Sequence, residues 1–374
     1  MTFRENVSAI LHYRDFDHMP VVSFGYWTET LDKWAAEGHI TREEAQGYAQ
    51  SGDNSPADNS VMKKLGFDFN WNSCYGMRTG LLPGFRSEVL EERPDGSRII
   101  RDSQGLIVAV KPGTVSIPAE IGTSLTGREA WQELYLPKLQ WSEDRVDRDG
   151  LRALTCADSR QIPIGLHCGS LYGFIRDLLG VTELSYLYVD DEELYAEIID
   201  TVGNLSYKCV ETALKTGAKF DYAHFWEDIC FKNGPLVQPA VFAEYVGPHY
   251  RKITDLLGRY GVDIVSLDCD GCIDKLLPIW LENGVNTMFP IEVGTWNASI
   301  APWREQYGNQ LRGVGGMNKT VFARDYKAVD EEIERLKKLI DLGGYIPCPD
   351  HRIAPDAIFE NVQYYCDRMQ NLTI

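Results

Sequence analysis

Side chains that can bind metals or move protons follow several short apolar runs of this chain. Asp268 and Asp270 close one such run, and residues two apart on an extended segment point the same way. Two close carboxylates repel each other unless a metal, a proton or a basic substrate compensates them. The pair therefore predicts a metal or proton site. The alternative is a pair of turn carboxylates that cap a helix starting near Ile273.

The segment from Cys348 to His351 (CPDH) supplies further metal ligands near the end of the sequence. A thiolate and an imidazole three residues apart can bind Zn²⁺ together with a carboxylate from another strand. We therefore predict a zinc site made by Asp268, Asp270, His351 and Cys348. The alternative leaves His351 only to hydrogen-bond a substrate or the backbone.

Two other cysteine arrangements carry less weight. Cys269 and Cys272 form a CxxC, but a four-cysteine zinc module needs a second CxxC, and the sequence has none. Thiols that simply pack as small apolar groups are the simpler interpretation. His167 and Cys168 are adjacent on a predicted strand, so their side chains point to opposite faces and cannot form a nucleophilic dyad.

Other run ends carry groups suited to acid–base chemistry and to substrate binding. We predict Glu227, His224 and Asp268 as catalytic groups, because an imidazole or a carboxyl at such a position can transfer a proton. For His224 the alternative is simple packing at the rim. Large planar side chains suit the walls of a ligand site. The predicted substrate-binding residues are Tyr26, Trp27, Trp226 and Asn318.

These side chains can meet only if the apolar runs are parallel strands that end at one place. The runs are Met19–Phe24, Leu65–Trp71, Ile162–His167, Phe220–Phe225, Val262–Asp268, Val285–Glu292, Leu311–Gly316 and Tyr345–Cys348. Eight strands that mostly alternate with helices predict an α/β fold, a (β/α)₈ TIM barrel over residues 1–374, with the active site on the loops after the strands. The alternative is an open doubly wound sheet, but no GxGxxG follows the first run.

Helix signals lie between these runs. Asn283-Gly284 ends the segment Ile273–Glu282 as a C-cap, and Gly343-Gly344 ends a helix over about Tyr326–Leu342. Another helix is predicted to begin near Asp190–Glu193, because acidic side chains stabilise a helix N-terminus.

One region breaks the alternation of strands and helices. Residues 86–126 contain Asp95-Gly96 and Gln104-Gly105, each flanked by residues that favour strands. Such dipeptides are typical of β-hairpin turns. We therefore predict a small antiparallel insertion within the barrel, which forms either a lid or a decoration of the rim.

The charge balance excludes some partners. The chain has 37 basic and 55 acidic residues and a formal net charge of −18 at pH 7. Nucleic acids and anionic membranes both need clustered Lys and Arg, so we expect neither as a partner. The first residues lack the apolar core of a signal peptide, and the 9 scattered cysteines are typical of reduced thiols. We expect a cytoplasmic protein.

Motifs spread along nearly the whole chain resemble the uroporphyrinogen decarboxylase superfamily. The matching stretches are Arg4–Val7, Met19–Val21, Leu65–Asp68, Trp226–Asp228, Lys232–Pro235, Gly343–His351, Pro355 and Glu360–Asn361. Their order and spacing most resemble the branch of cobalamin-dependent methyltransferases. True uroporphyrinogen decarboxylases carry Arg-Gln-Ala-Gly-Arg after the first strand, where the arginines bind substrate carboxylates. The stretch Ser23–Glu29 (SFGYWTE) has no arginine here, which argues against a polycarboxylated tetrapyrrole substrate.

The resemblance also bears on the metal. Zinc methyltransferases of this superfamily use a His-x-Cys after the fifth strand and a Cys on the last loop. The resemblance places Asp268 and Asp270 at the first two ligands and His351 at the third. Carboxylates are harder ligands than thiolates, so this set suits an oxygen or amine substrate.

Three functions follow as hypotheses. The first is a methyltransferase that moves a methyl group between a small O- or N-methylated compound and the cobalt of a corrinoid on a partner protein, assisted by zinc. The second is a metal-free decarboxylase, which needs a substrate-facing arginine such as Arg86 or Arg176. The third is a protein that binds a corrinoid or tetrapyrrole without turnover.

Overall fold

The computed structural model describes residues 1–111, 118–156 and 159–372. Its strands are β1 Val22–Ser23, β2 Phe69–Asn70, β3 Cys74–Tyr75, β4 Glu88–Glu92, β5 Arg98–Arg101, β6 Leu106–Val110, β7 Ala119–Thr123, β8 Gly165–His167, β9 Tyr222–Trp226, β10 Cys230–Phe231, β11 Gly234–Pro235, β12 Val265–Asp268, β13 Thr287–Phe289, β14 Arg312–Met317 and β15 Tyr345–Pro349. Its α-helices are α1 Phe3–Leu11, α2 Thr28–Glu37, α3 Arg42–Ser51, α4 Pro56–Leu65, α5 Arg128–Ala130, α6 Arg148–Arg152, α7 Gly173–Asp190, α8 Glu192–Lys215, α9 Pro239–Tyr245, α10 Gly247–Arg259, α11 Leu277–Glu282, α12 Val293–Trp296, α13 Ile300–Tyr307, α14 Tyr326–Ile340 and α15 Phe359–Gln370.

The centre of the molecule is a parallel sheet in the order β3-β8-β9-β12-β13-β14-β15. β1 pairs in parallel with β2, and the chain then continues into β3. A parallel bridge between Tyr26 and Ile353 connects the segment after β1 to the segment after β15. Counted with β2 and β3 as one interrupted strand, the order is that of a closed ring of eight. The predicted (β/α)₈ barrel is therefore confirmed.

Each of the eight predicted apolar runs overlaps one of the barrel strands. Inside the barrel, the rings of Trp71 and Tyr222 stack with centroids 4.4 Å apart, and the Trp71 indole N–H donates to Ser266 Oγ at 3.1 Å. These rings fill the lower part of the barrel, as large side chains do in this fold. The cavity inside the described part of the barrel lies above them, towards the C-terminal ends of the strands.

The helices differ from the sequence prediction at one informative place. α11 begins at Leu277 and not near Ile273, because Pro278 is tolerated only in the first turn of a helix. Its N-cap position makes no side-chain hydrogen bond, so Asp268 and Asp270 do not cap it. α8 begins beside the acidic cluster as predicted, with the Asp191 side chain accepting from the Leu194 N–H. No helix in the described part of the chain combines the length and apolar character needed to cross a membrane.

The strands β4 to β7 form a separate antiparallel sheet within the predicted insertion 86–126, of which residues 112–117 lie outside the described residues. Its hairpins turn at Gly96 and Gly105, which both have the positive φ that favours glycine. The sheet packs on α7, where Thr123 Oγ1 donates to the Leu178 carbonyl at 2.5 Å.

Candidate active site

A cavity of about 310 Å³ lies at the C-terminal ends of the barrel strands. This is the position of active sites in TIM-barrel enzymes. The residues around it are Phe24, Trp27, Asn72, Cys74, His167, His224, Trp226, Asp228, Asp268, Asp270, His351 and Arg352. None of these described lining residues comes from the insertion 86–126.

Three carboxylates face one another in this cavity. One oxygen each of Asp228, Asp268 and Asp270 lies within 4.8 Å of the others. Asp268 ends β12, where it is paired in register with Trp226 at the end of β9, and Asp228 lies two residues further on. Asp228 has a positive φ of 50°, a conformation that Asp tolerates better than most residues. The Asp270 N–H donates to Asp228 Oδ1 at 3.1 Å and fixes the two loops relative to each other.

Burial and mutual repulsion raise the pKa values of two carboxyl groups in this cluster. Burial, together with Asp228 and Asp270, raises the pKa of the Asp268 carboxyl well above its ordinary value. Burial and then Asp270 raise the pKa of Asp228 to about 6. Like charges in a low-dielectric site disfavour joint ionisation. The cluster therefore takes up either protons or a cation.

His351 completes the acidic end of the cavity. Its Nε2 lies 3.2 Å from Asp270 Oδ2, and its ring stacks on Trp27 with centroids 5.6 Å apart. Asp270 Oδ1 and His351 Nδ1 are buried and have no hydrogen-bond partner among the described residues. Such atoms are costly unless something else satisfies them. The three carboxylates fit a divalent cation, which Asp228, Asp268 and Asp270 are placed to hold, and His351 adjoins this group through Asp270.

Two further imidazoles lie deeper in the barrel. His167 on β8 and His224 on β9 are aligned in the parallel register, with ring centroids 5.9 Å apart. Burial lowers the pKa of His167 to about 4 and that of His224 to about 3, so both rings are neutral near pH 7. His224 thus lines the cavity, as expected of a catalytic or binding residue, and does not merely pack at the rim.

Glu227 does not reach the cavity, contrary to the expectation that it is a catalytic acid. Its fully buried carboxylate accepts hydrogen bonds from the backbone N–H groups of Leu171, Tyr172 and Gly173. The hydroxyl groups of Ser170 and Tyr250 donate to it as well. Side chains alternate along a strand, so a residue between Trp226 and Asp228 must point outwards. Glu227 holds the start of α7 against β9.

Three other predicted site residues also lie away from the cavity. Tyr26 is buried between Trp34 and Tyr48, with ring centroids 5.9 and 5.7 Å away, because it points out of the barrel. The Asn318 side chain accepts from the Thr320 N–H at 3.1 Å and caps a short 3₁₀ helix. Cys348 is fully buried in β15, where burial raises the pKa of its thiol well above the usual range. None of the three lines the cavity.

The sequence prediction named no role for Asp228, and it considered His167 only as half of a rejected dyad. The signal for both was present. Asp228 lies two residues after the inward-facing Trp226, and His167 occupies the strand end equivalent to His224. Arg352 was also missed, although it lines the cavity. Its guanidinium is bound by both oxygens of Asp53, at 3.0 and 2.7 Å, which leaves little of its charge for a ligand.

Comparisons with known proteins agree with this architecture. The family model described as Uroporphyrinogen decarboxylase (URO-D) matches residues 161–372, more than half of the chain. A uroporphyrinogen decarboxylase from Syntrophotalea carbinolica is 24% identical over 215 residues, which cover 56% of this chain and 58% of that protein. The aligned part thus spans little more than half the length of that relative.

One solved structure has the same fold over nearly the whole chain. A methyltransferase from Methanosarcina mazei superimposes with a TM-score of 0.58 at 16% identity, over 99% of this chain and 98% of that one. A B12-independent methionine synthase from Shewanella sp. W3-18-1 gives a TM-score of 0.48 at 10% identity, over 94% and 97% of the two chains. The family match and the barrel geometry lead to one conclusion: this chain belongs to the uroporphyrinogen decarboxylase (URO-D) family.

Proposed function

We propose that this protein is a methyltransferase that moves a methyl group between a small O- or N-methylated compound and the cobalt of a corrinoid on a partner protein. The observation that carries the proposal is the convergence of Asp228, Asp268, Asp270 and His351 at an aromatic-walled cavity in a URO-D barrel. The similarity in fold to a methyltransferase supports it.

The cavity has the groups that demethylation needs. An ether or amine loses its methyl group readily only if the leaving oxygen or nitrogen is protonated or bound to a Lewis acid. A bound divalent cation, zinc in our hypothesis, supplies this Lewis acidity. Without a cation, burial and its acidic neighbours raise the pKa of Asp268 and so favour the protonated form of this carboxyl. Asp268 is therefore the group that we expect to stand next to the leaving atom.

The remaining lining residues orient the substrate and exclude water. Trp27 and Trp226 both line the cavity, and each ring is in contact with a neighbouring side chain. His351 stacks on Trp27, and the Arg176 guanidinium lies 5.5 Å from the ring centroid of Trp226. Because these contacts hold both rings, the walls are preorganised for a flat substrate.

Methyl transfer is tested by incubating the protein with free cob(I)alamin and a panel of methoxylated and N-methylated compounds. We expect methylcobalamin to form, detected by its absorption spectrum, with at least one compound. Asp268→Asn should lower the rate by about 100-fold or more, because it removes both the proton and a cation ligand. The exposed Asp255→Asn serves as the matched control and should keep the wild-type rate. No product from any compound, with the wild-type protein folded, contradicts the proposal.

A metal-free decarboxylase is the second candidate, favoured by the uroporphyrinogen decarboxylase relative and by Arg352 in the cavity wall. Two observations argue against it. Arg352 is already paired with Asp53, and the three carboxylates of the cavity repel an anionic substrate. Arg176 is occupied by Asp177 and by the Asp228 carbonyl, and Arg86 is exposed. Carbon dioxide release from uroporphyrinogen that survives chelation of metals identifies this function. Binding of a corrinoid without any turnover identifies the third hypothesis, a non-catalytic binding protein.

A further inference from the structure

The imidazoles of His167 and His224 lie in a layer of the barrel beneath the carboxylates. The parallel register aligns His167, His224 and Ser266 at one level, and Trp226 and Asp268 at the level two residues further along the same strands. Two residues of a strand span about 7 Å. The cavity therefore has an acidic upper layer and a neutral imidazole layer at its floor.

Hydrogen bonds to the Nδ1 atoms indicate which nitrogen of each ring carries the proton. The Gly169 N–H donates to His167 Nδ1 at 3.1 Å, so the proton of this neutral ring is on Nε2. His224 Nδ1 lies 3.2 Å from Ser266 Oγ, which already accepts from the indole of Trp71. The Ser266 hydroxyl still has its own proton to give, and His224 Nδ1 is the acceptor within reach, so we take the second ring as an Nε2–H donor as well.

Both Nε2–H groups belong to residues that line the cavity. Neither Nε2 has a hydrogen-bond partner within residues 1–111, 118–156 and 159–372. Two adjacent donors without charge recognise a hydrogen-bond acceptor, and they disfavour an ammonium group, which has only donors to offer. The carboxylates above them disfavour an anion. An uncharged acceptor remains, and we take it to be an oxygen atom, because a basic nitrogen becomes protonated more readily beside carboxylates.

We propose that His167 and His224 form a paired neutral donor that holds an uncharged oxygen of the substrate at the floor of the cavity, one layer below the methyl group that is transferred. The inference rests on the proposed function in taking the acidic layer as the reacting end. It assigns the substrate class: a methylated compound with a second, uncharged oxygen at its far end. Simple methylamines and simple ethers lack that oxygen.

Three probes that share a methoxyphenyl group and differ at the far end test this directly. They are 4-methoxyphenol, with an uncharged oxygen; methoxybenzene, with none; and 4-methoxybenzylamine, with a cation. Calorimetry or tryptophan fluorescence gives their affinities for the purified protein, with and without added Zn²⁺ and in the absence of any corrinoid. We expect 4-methoxyphenol to bind at least about tenfold more tightly than the other two, since a buried donor left unpaired is costly. Equal affinities, or tighter binding of the amine, overturn the proposal.

Substitutions assign the effect to the two rings. His167→Phe and His224→Phe keep the ring volume and remove the donor, so both should bring 4-methoxyphenol to the affinity of methoxybenzene. His167→Gln and His224→Gln restore an uncharged N–H donor and should recover most of the preference. His39→Gln, on a histidine that stacks on Phe359 outside the cavity, is the control. Unchanged preference in both folded Phe variants, judged by their melting curves, contradicts the proposal.

The two proposals fail in different ways. If the preference depends on the histidines but no probe methylates cob(I)alamin, the donor pair stands and the methyltransferase function falls. If methyl transfer proceeds with the same preference in the Phe variants, the function stands and the donor pair falls.

Discussion

Glu227 and Asp228 are neighbours in the chain, and both carry carboxylates inside the protein, yet their surroundings are opposite. Glu227 accepts hydrogen bonds from three backbone N–H groups and two hydroxyl groups. Asp228 faces two more carboxylates within 4.8 Å. A carboxylate with all its acceptor positions filled stabilises the fold, whereas one with few donors and like-charged neighbours is available to a proton or a cation from outside. The number of donors distinguishes the carboxylate that holds the fold together from the one that we propose as a metal ligand.

We expect the largest difference between the acidic cluster and Glu227 in the binding of a metal ion. Asp228→Asn, Asp268→Asn and Asp270→Asn each remove a charged ligand, and we expect each to weaken binding of a divalent cation by about 100-fold or more. Glu227→Gln leaves the three ligands in place and should lower metal affinity far less. Elemental analysis of purified protein, followed by titration with Zn²⁺ and Mn²⁺, measures this. The prediction is wrong if the wild-type protein binds neither metal. It is also wrong if all three Asn variants bind the metal as tightly as the wild type does.

Stability should respond in the opposite order. Glu227→Gln places an amide against several N–H donors, so we expect it to lower the free energy of unfolding by about 2–3 kcal/mol. Asp228→Asn relieves like-charge repulsion in the metal-free protein and should leave the stability unchanged or raise it. Urea denaturation of both variants after chelation tests the pair. If Asp228→Asn loses as much stability as Glu227→Gln, Asp228 also stabilises the fold and the prediction is wrong.

The pH dependence sharpens the same point. The pKa of Asp228 is raised to about 6 in the folded protein, against about 4 in an unfolded chain. The folded state then binds the proton more tightly than the unfolded chain does. Protonation of Asp228 therefore stabilises the fold fully below about pH 4, and this stabilisation is lost as the pH rises through 6. In metal-free protein, the stability of wild type relative to Asp228→Asn should therefore fall between pH 4 and 7. Melting temperatures of the two proteins across this range show whether it does, and a constant difference contradicts the assignment.

The sequence was sufficient for the barrel, because each strand is a short apolar run and the helix between two runs forces a parallel crossover. It was also sufficient to place Asp268 at the end of β12, and Asp270 and His351 two residues after the ends of β12 and β15. It was not sufficient where one residue of offset decides the direction of a side chain. Placing Trp226 and Glu227 in the same site ignored strand alternation, and Asp228 was missed for the same reason.

Tyr26 and Asn318 illustrate a different limit. Both follow strand ends, where a cavity residue is expected, but local contacts that no periodicity reveals determine their orientation. Tyr26 is drawn into the packing of Trp34 and Tyr48, and Asn318 hydrogen-bonds within its own turn. Polar side chains of this type compete for nearby backbone groups and so favour caps over ligand sites.

The smallest expected effect concerns Asn318, whose amide oxygen also accepts from Thr320 Oγ1 at 2.7 Å. Asn318→Ala removes these capping bonds and should cost about 1 kcal/mol of stability. Because the side chain does not line the cavity, neither metal affinity nor binding of 4-methoxyphenol should change. Trp27→Ala, which removes a cavity wall and the ring stacked on His351, is the matched comparison and should weaken binding of the probe. If Asn318→Ala weakens binding as much as Trp27→Ala does, the residue belongs to the site after all, and strand-end position is then a better guide to function than local hydrogen bonding.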